Sequence, residues 1–391
     1  MDDATLTPDC WAPLKDSQRQ SETLGAVHRT FAKDVWFRFR KKPAALIGLG
    51  ILTLVLLFAL VGPYFTGHDF DDQELAFVNI PPRMDVFVMG EDYVYLSKSY
   101  KPILVSPQGH LLRSLPRIAE DLSKKQTTYD FDGQVLTVDF SARPPRLIDP
   151  QGERVRYYVT LWNRSYILGT DNLGRDLLTR LMMGARISLL VAFIAALVNL
   201  VIGILYGGIS GYLGGNADLV MMRIVDVIST IPLTLYVILI MVVLPIGNSG
   251  IASIVIALGS VYWVNMARVV RGQILSLKEQ DFVHAAVIMG TSNWRILTRH
   301  LIPNAMGPII VTVTMLIPSA IFIEAFMSFI GLGVSPPMAS WGTMCNDALE
   351  ALRTNPYQLF APALAICATM FGFNFVGDGL RDALDPKLKG R

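Results

Sequence analysis

The stretch ISLLVAFIAALVNLVIGILYGGISGYLGGNA, residues 187–217, contains no Asp, Glu, Lys or Arg. A helix needs about 20 apolar residues to cross the hydrocarbon of a bilayer, and a charge held there is costly. This run is long enough. Working outward, further charge-free runs extend over Pro43–Gly67, Val227–Ala267, Leu301–Ile323 and Leu359–Val376. Val227–Ala267 is about two spans long, and the turn-like Pro245-Ile246-Gly247-Asn248-Ser249-Gly250 divides it. Six transmembrane helices are expected. One such run would also suit a buried helix of a large soluble protein; five with basic flanks do not.

Composition agrees. Of 391 residues, 52% are apolar and only 17% are charged, against about 25% charged in a soluble domain. The net charge of +2 is too small to suggest nucleic-acid binding. Cys10, Cys345 and Cys367 lie far apart, which supports neither a disulfide framework nor a zinc site.

Orientation follows from Lys and Arg in the short loops. The segment 1–42 ends in Arg38, Arg40, Lys41 and Lys42. The stretches Gly211–Asp226 and Arg268–His300 and the tail 381–391 lie on its side and are also basic, while the opposite side is nearly bare. Both termini are expected in the cytoplasm, with residues 43–67 as an uncleaved first anchor. Trp36-Phe37-Arg38-Phe39-Arg40 mixes aromatic and basic residues, as suits lipid headgroups.

Residues 68–165 are polar enough to fold in water. Strand-like patterns occur at Asp85–Val88, Tyr93–Leu96, Tyr129–Phe140 and Arg154–Leu161, and Asp132-Gly133 signals a hairpin. Ser114–Lys125 is expected as a short helix, making a small α/β insertion that faces outward. Its role is read either as a spacer or lid, or as a docking site for a soluble partner. Residues 166–380 then form a core with five helices and an inner loop at 268–303.

Four motifs stand in order along that core. The loop carries Asp281-Phe282-Val283-His284-Ala285-Ala286-Val287-Ile288-Met289-Gly290, and later His300-Leu301-Ile302-Pro303-Asn304. Ahead of the second span lies Leu168-Gly169-Thr170-Asp171-Asn172-Leu173-Gly174-Arg175-Asp176. Met222-Arg223-Ile224-Val225-Asp226 precedes Pro232. Glu324-Ala325-Phe326-Met327-Ser328-Phe329-Ile330-Gly331-Leu332-Gly333 precedes Pro336-Pro337 and Ser340-Trp341-Gly342. Small Ala285 and Ala286 suit a helix that seats deep in a partner's groove. Gly290 permits a sharp turn at its end, Ser292 or Asn293 can cap the next helix, and Pro303 restricts entry to the fifth span.

The first motif resembles the EAA loop of ABC importer permeases, with His284 in place of the usual Glu and His300 in place of Ile. Together the motifs resemble the oligopeptide and dipeptide permeases, outside most of residues 68–165. The resemblance implies an all-α polytopic membrane protein of the type I ABC importer fold in the bacterial inner membrane. It implies a second permease subunit, two ATP-binding subunits holding ATP and Mg, an extracytoplasmic solute-binding protein and a peptide cargo. This chain would be the second of the two permeases. It would be non-catalytic and bind no cofactor or metal, coupling to the ATPase through Phe282, His284, Ala285, Ala286, Gly290 and Pro303. A chain lacking any Gly-Lys pair has no phosphate loop of its own.

Other charged residues are weighed as gate or structural elements. Asp171, Arg175 and Asp176 are close enough to form a charged lattice at the outer mouth. Arg223 and Asp226, three apart, are expected to pair. Glu324, near the outer end of the fifth span, is read as a capping or gating contact. Gly203, Gly207, Gly211 and Gly215 repeat a small-residue pattern for close helix packing. The readings kept as alternatives are a permease for nickel or another small solute, and a membrane sensor with an outer ligand domain. Charge-free spans argue against a proton-coupled transporter.

Overall fold

The computed structural model describes residues 30–142, 144–243 and 251–384. Cys10, the dividing turn at 245–250 and the end of the tail, 385–391, lie outside the described residues.

A short amphipathic helix α1 (Phe31–Arg40) leads into α2 (Pro43–Leu60), where Pro43 occupies the first helical turn. Proline is favoured there because its missing N–H has no intrahelical partner to lose. After the insertion come α3 (Leu177–Leu213), α4 (Gly215–Thr230), α5 (Leu233–Val243), α6 (Ile251–Val261) and α7 (Trp263–Lys278). Then follow α8 (Asp281–Ile288), α9 (Asn293–Ile296), α10 (Ile302–Phe329), α11 (Trp341–Asp347) and α12 (Tyr357–Leu384). Among the described residues five helical rods are long and apolar enough to cross a membrane, and six if the bent pair α4–α5 counts as one.

Two features depart from the charge pattern. First, the rods outrun the charge-free runs. The 37 residues of α3 make a rod about 55 Å long, against a hydrocarbon core of about 30 Å. Its first turns carry Arg180 and Arg186, and α7 continues past Ala267 through Arg268 and Arg271. Second, the third span is not straight. Ile231, the residue before Pro232, is extended (φ −79°, ψ 126°), and the two halves meet at 87°. Proline disfavours helical backbone in its predecessor, so α4 stops there.

The bundle core joins Val191, Ala195, Ile254, Leu258, Met266, Val270, Ile309 and Ile321 from α3, α6, α7 and α10. The glycine repeat places α3 against α7. A Cβ on Gly207 would lie 2.2 Å from the Ala267 carbonyl oxygen, and one on Gly211 would lie 2.9 Å from that of Arg271. Only glycine lets the backbones meet this closely. Gly215, the last of the repeat, has open space around it and no such role.

The insertion is built from strands β1 (Arg83–Met89), β2 (Asp92–Leu96), β3 (Pro102–Val105), β4 (Leu111–Ser114), β5 (Arg117–Asp121), β6 (Gln126–Phe131), β7 (Gln134–Asp139), β8 (Arg146–Ile148) and β9 (Tyr158–Trp162). One antiparallel sheet has the order β4-β3-β2-β1-β9 and the other β5-β6-β7-β8. Val94 of the first sheet is buried with Leu115, Tyr129, Leu136, Val138 and Leu147, so the sheets pack face to face. The other face of the first sheet buries Met84, Val86, Tyr95 and Ile103 against Phe77, Ile80 and Tyr166. The expected hairpin is present: Phe131 pairs with Gln134, and Asp132 and Gly133 both have positive φ. The expected helix at Ser114–Lys125 is not. That segment holds the last residue of β4, then β5 and its turn, with β5 paired to β6 through Arg117↔Tyr129 and Asp121↔Gln126. Cross-strand pairing outweighs its helical propensity.

The insertion is tied to the bundle at the start of α12. The Tyr357 hydroxyl donates to the backbone carbonyls of Ile80 (3.0 Å) and Thr170 (3.2 Å). The Gln358 amide donates to Asn79 Oδ1 (2.8 Å) and Thr170 O (2.9 Å). Lys98 donates to Thr354 O and, at 3.0 Å, to Asn355 Oδ1.

Candidate functional site

At the end of the bundle away from the insertion, α8 lies between α7 and the rod that continues into α10. Asp281 in its first turn suits the positive end of the helix dipole. Its far end closes on Gly290 (φ +76°). Gly290 N–H donates to Val287 O (2.9 Å) and Thr291 N–H to Ala286 O (3.1 Å), the paired bonds of a Schellman cap. Val283 and Ala286 are buried in the same core cluster as Ile274, Ile296 and Leu297. Phe282, His284 and Ala285 are exposed, and Ile288 (86%) and Met289 (77%) are the most exposed large apolar side chains of the loop. Trp294 adds an exposed ring just beyond.

The loop residues expected to act together thus divide. Phe282, His284, Ala285 and Gly290 lie on the surface, whereas Ala286 (2% exposed) roots the helix in its own subunit. The apolar tip, Ile288 and Met289, went unremarked because two apolar residues in a short helix carry no motif. Ser292 does stand at the N-cap of α9, although its side chain makes no capping bond. Pro303 sits in the first turn of α10, directly after a π-turn over Leu297–Leu301. A proline ring crowds the carbonyl four residues back, and the wider π-turn relieves that crowding.

At the insertion end, Asp171 receives Arg175 Nε (2.7 Å) and Arg180 Nη1 (2.6 Å) on one oxygen. Both arginines also reach Asp347, at 3.6 Å and 3.2 Å. Asp171, Arg175 and Arg180 are buried, so each charge depends on the others. Asp176 is not a member of this lattice. It is the N-cap of α3, accepting from the backbone N–H of Thr179 at 2.9 Å and of Leu178 at 3.4 Å. Arg180 and Asp347 were missed because the lattice closes across 167 residues of chain.

Glu324 is fully buried where α10, α3 and α11 meet. Ser188 Oγ and Ser328 Oγ each donate to it at 2.8 Å. Ser188 Oγ also accepts from Trp341 N–H (3.3 Å), and Trp341 Nε1–H donates to Leu181 O (3.0 Å). The carboxyl group therefore fastens three elements together. Ser340 caps α11 reciprocally with Thr343.

Arg223 and Asp226 do not pair. Val225 turns inward against Trp263 and Ala267. Asp226 instead accepts from Arg268 of α7 at 3.1 Å, and Arg223 is exposed. The stronger tie of α4 is Asp218, which receives Arg271 Nε and Nη2, each at 2.5 Å.

These elements, several apolar rods around a glycine-tight core with a capped helix at one end, define a polytopic helical membrane protein. The model of the family described as binding-protein-dependent transport system inner membrane component matches residues 201–390. That of the N-terminal TM domain of oligopeptide transport permease C matches residues 30–82. The chain is 39% identical over 384 residues to the oligopeptide transport system permease protein OppC of Bacillus subtilis, covering 98% of this chain and 99% of that one. It is 35% identical to the dipeptide transport system permease protein DppC of the same organism, covering 98% and 94%. A solved structure of the MetNI methionine ABC transporter aligns at a TM-score of 0.42 and 18% identity, over 54% of this chain and 96% of that one. The chain belongs to the oligopeptide/dipeptide permease family of ABC importers, whose members are non-catalytic subunits of the inner membrane. Because the match to OppC spans nearly both chains, the resemblance reaches through residues 68–165 as well.

Proposed function

We propose that this chain is one of two permease subunits forming the pathway of an ATP-driven importer for oligopeptides or dipeptides, with α8 as its coupling helix. One observation carries the reading: α8 is rooted by Val283 and Ala286 in the bundle core while Phe282, Ala285, Ile288 and Met289 stand free on the surface. A helix anchored on one face and apolar on the other is shaped to seat in a groove of a soluble partner and transmit its motion. Closure of two separate ATPase subunits, which hold the ATP and Mg²⁺, drags α8 inward. The attached rods rotate and switch access across the membrane. The basic loops support a cytoplasmic α8 and cytoplasmic termini. The insertion then faces outward, where a peptide-loaded binding protein docks. The buried carboxylates at 171 and 324 fix the outer ends of α3, α10 and α11 and serve as structural ties at the gate.

The test is co-expression with the neighbouring subunits, followed by pull-down and peptide-stimulated ATPase assay. Ile288→Glu is expected to leave the membrane subunit folded and to abolish ATPase attachment. Normal attachment and transport by that variant would overturn the assignment of α8.

A further inference from the structure

A second feature lies beside the membrane boundary and does not depend on the coupling reading. Helix α1 is held against α2 and α12 by a buried cluster of Phe39, Ala45 and Ala383. Where α1 arches over α10 and α12 it leaves an apolar cavity of about 390 Å³, walled by Val35, Trp36, Phe39, Leu49, Ile310 and Leu380 among others. That volume is within the usual range for small-molecule sites, roughly 300–1,000 Å³.

The charge around the cavity says what kind of molecule fits. Residues 31–42 carry Lys33, Arg38, Arg40, Lys41 and Lys42 against one carboxylate, Asp34. Arg38 is paired with Asp34 (2.8 Å) and Lys42 with Asp382 (2.8 Å). Lys41 lies over the Phe37 ring at 4.6 Å. Lys33 and Arg40 are exposed and have no carboxylate partner among the described residues. They stand three residues before and four after Trp36, which places them on its edge of the helix. Trp36 itself lines the cavity and is 50% exposed. An apolar slot therefore opens beside two exposed cations and an indole, at the point where the chain enters the bilayer. Apolar chain, interfacial aromatic ring and cation in that order match a phospholipid from tail to headgroup.

We propose that this groove binds an anionic glycerophospholipid of the adjoining leaflet, with one acyl chain in the slot and its phosphate held by Lys33 and Arg40. Such a lipid would wedge α1 against α10 and α12 and set the angle at which the first span enters the membrane.

The test uses the full chain, extracted with the subunits that assemble with it and reconstituted in nanodiscs of phosphatidylcholine doped with phosphatidylglycerol. Lipid retained after mild delipidation is counted by native mass spectrometry. The unaltered protein is expected to retain phosphatidylglycerol over phosphatidylcholine. Lys33→Glu with Arg40→Glu should abolish that preference, since each cation near the surface is worth about fivefold. Leu49→Trp, which fills the slot, should reduce retention of both lipids. Arg223→Glu, on α4 away from the groove, should change nothing. Equal retention of the two lipids by the unaltered protein would overturn the proposal, as would an equal loss from the Arg223 variant. A photo-crosslinker at Ala32 that captured residues 1–29 or another subunit in place of lipid would also overturn it.

Discussion

Single side chains in this protein act through whether they face their own bundle or the outside. Ala286 and Ile288 are two residues apart in one helix, yet one is buried and the other is bare. A charge placed at each should therefore fail differently. Ala286→Glu puts a carboxylate into the core and is expected to lower the thermal midpoint of the solubilised subunit. Ile288→Glu should leave that midpoint within error and remove only ATPase attachment. Gly290→Ala tests the cap: at φ +76° an alanine costs about 1 kcal/mol, read as faster hydrogen exchange over residues 286–291. In the buried lattice, Arg180→Met leaves Asp171 with one partner fewer. Breaking such a pair costs about 3–5 kcal/mol, seen as lost thermal stability, and adding Asp171→Asn should restore part of it. Sequence could nominate Asp171 and Arg175 because they are near neighbours. It had no means to supply Arg180 and Asp347, whose meeting depends on how α11 folds back onto α3.

At the scale of helices and strands, the charge-free runs located every rod but not its ends. Arg and Asp stop a run, yet they do not stop a helix that has already left the hydrocarbon, so α3 and α7 extend beyond their predicted limits. The glycine repeat was legible, since a four-residue period of small residues has one structural use in apolar rods. Gly207→Leu is expected to separate α3 from α7 and prevent accumulation of folded protein, measured by fluorescence-detected size exclusion. The bend at Pro232 was visible only as a proline near a span. Pro232→Ala restores the missing N–H and should open the 87° angle toward a straight helix, measured by spin-label distances between positions 220 and 240. Strands with alternating burial and a two-residue turn were readable. The Ser114–Lys125 segment was misread because β5 is exposed along its whole length and so carries no alternation.

Taken as a whole, the molecule is a helical bundle carrying a two-sheet head, and the two are joined by side chains of the last span. Tyr357 and Gln358 reach the backbone at Ile80 and Thr170, the two chain segments by which the head leaves and re-enters the bundle. Removing these donors with Tyr357→Phe and Gln358→Ala loses bonds worth about 1 kcal/mol each net. Amides at 79–80 and 169–171 should then exchange severalfold faster while the β6–β7 hairpin is unchanged.

Because those bonds clamp the root of the head to the first turn of α12, a tilt of that span is carried outward as the sweep of a needle on a dial. The hairpin turn at Asp132 and Gly133 lies in the head that this clamp carries. On the outward orientation proposed for the head, a fluorophore placed there is expected to change its signal during transport, without a probe among the membrane helices.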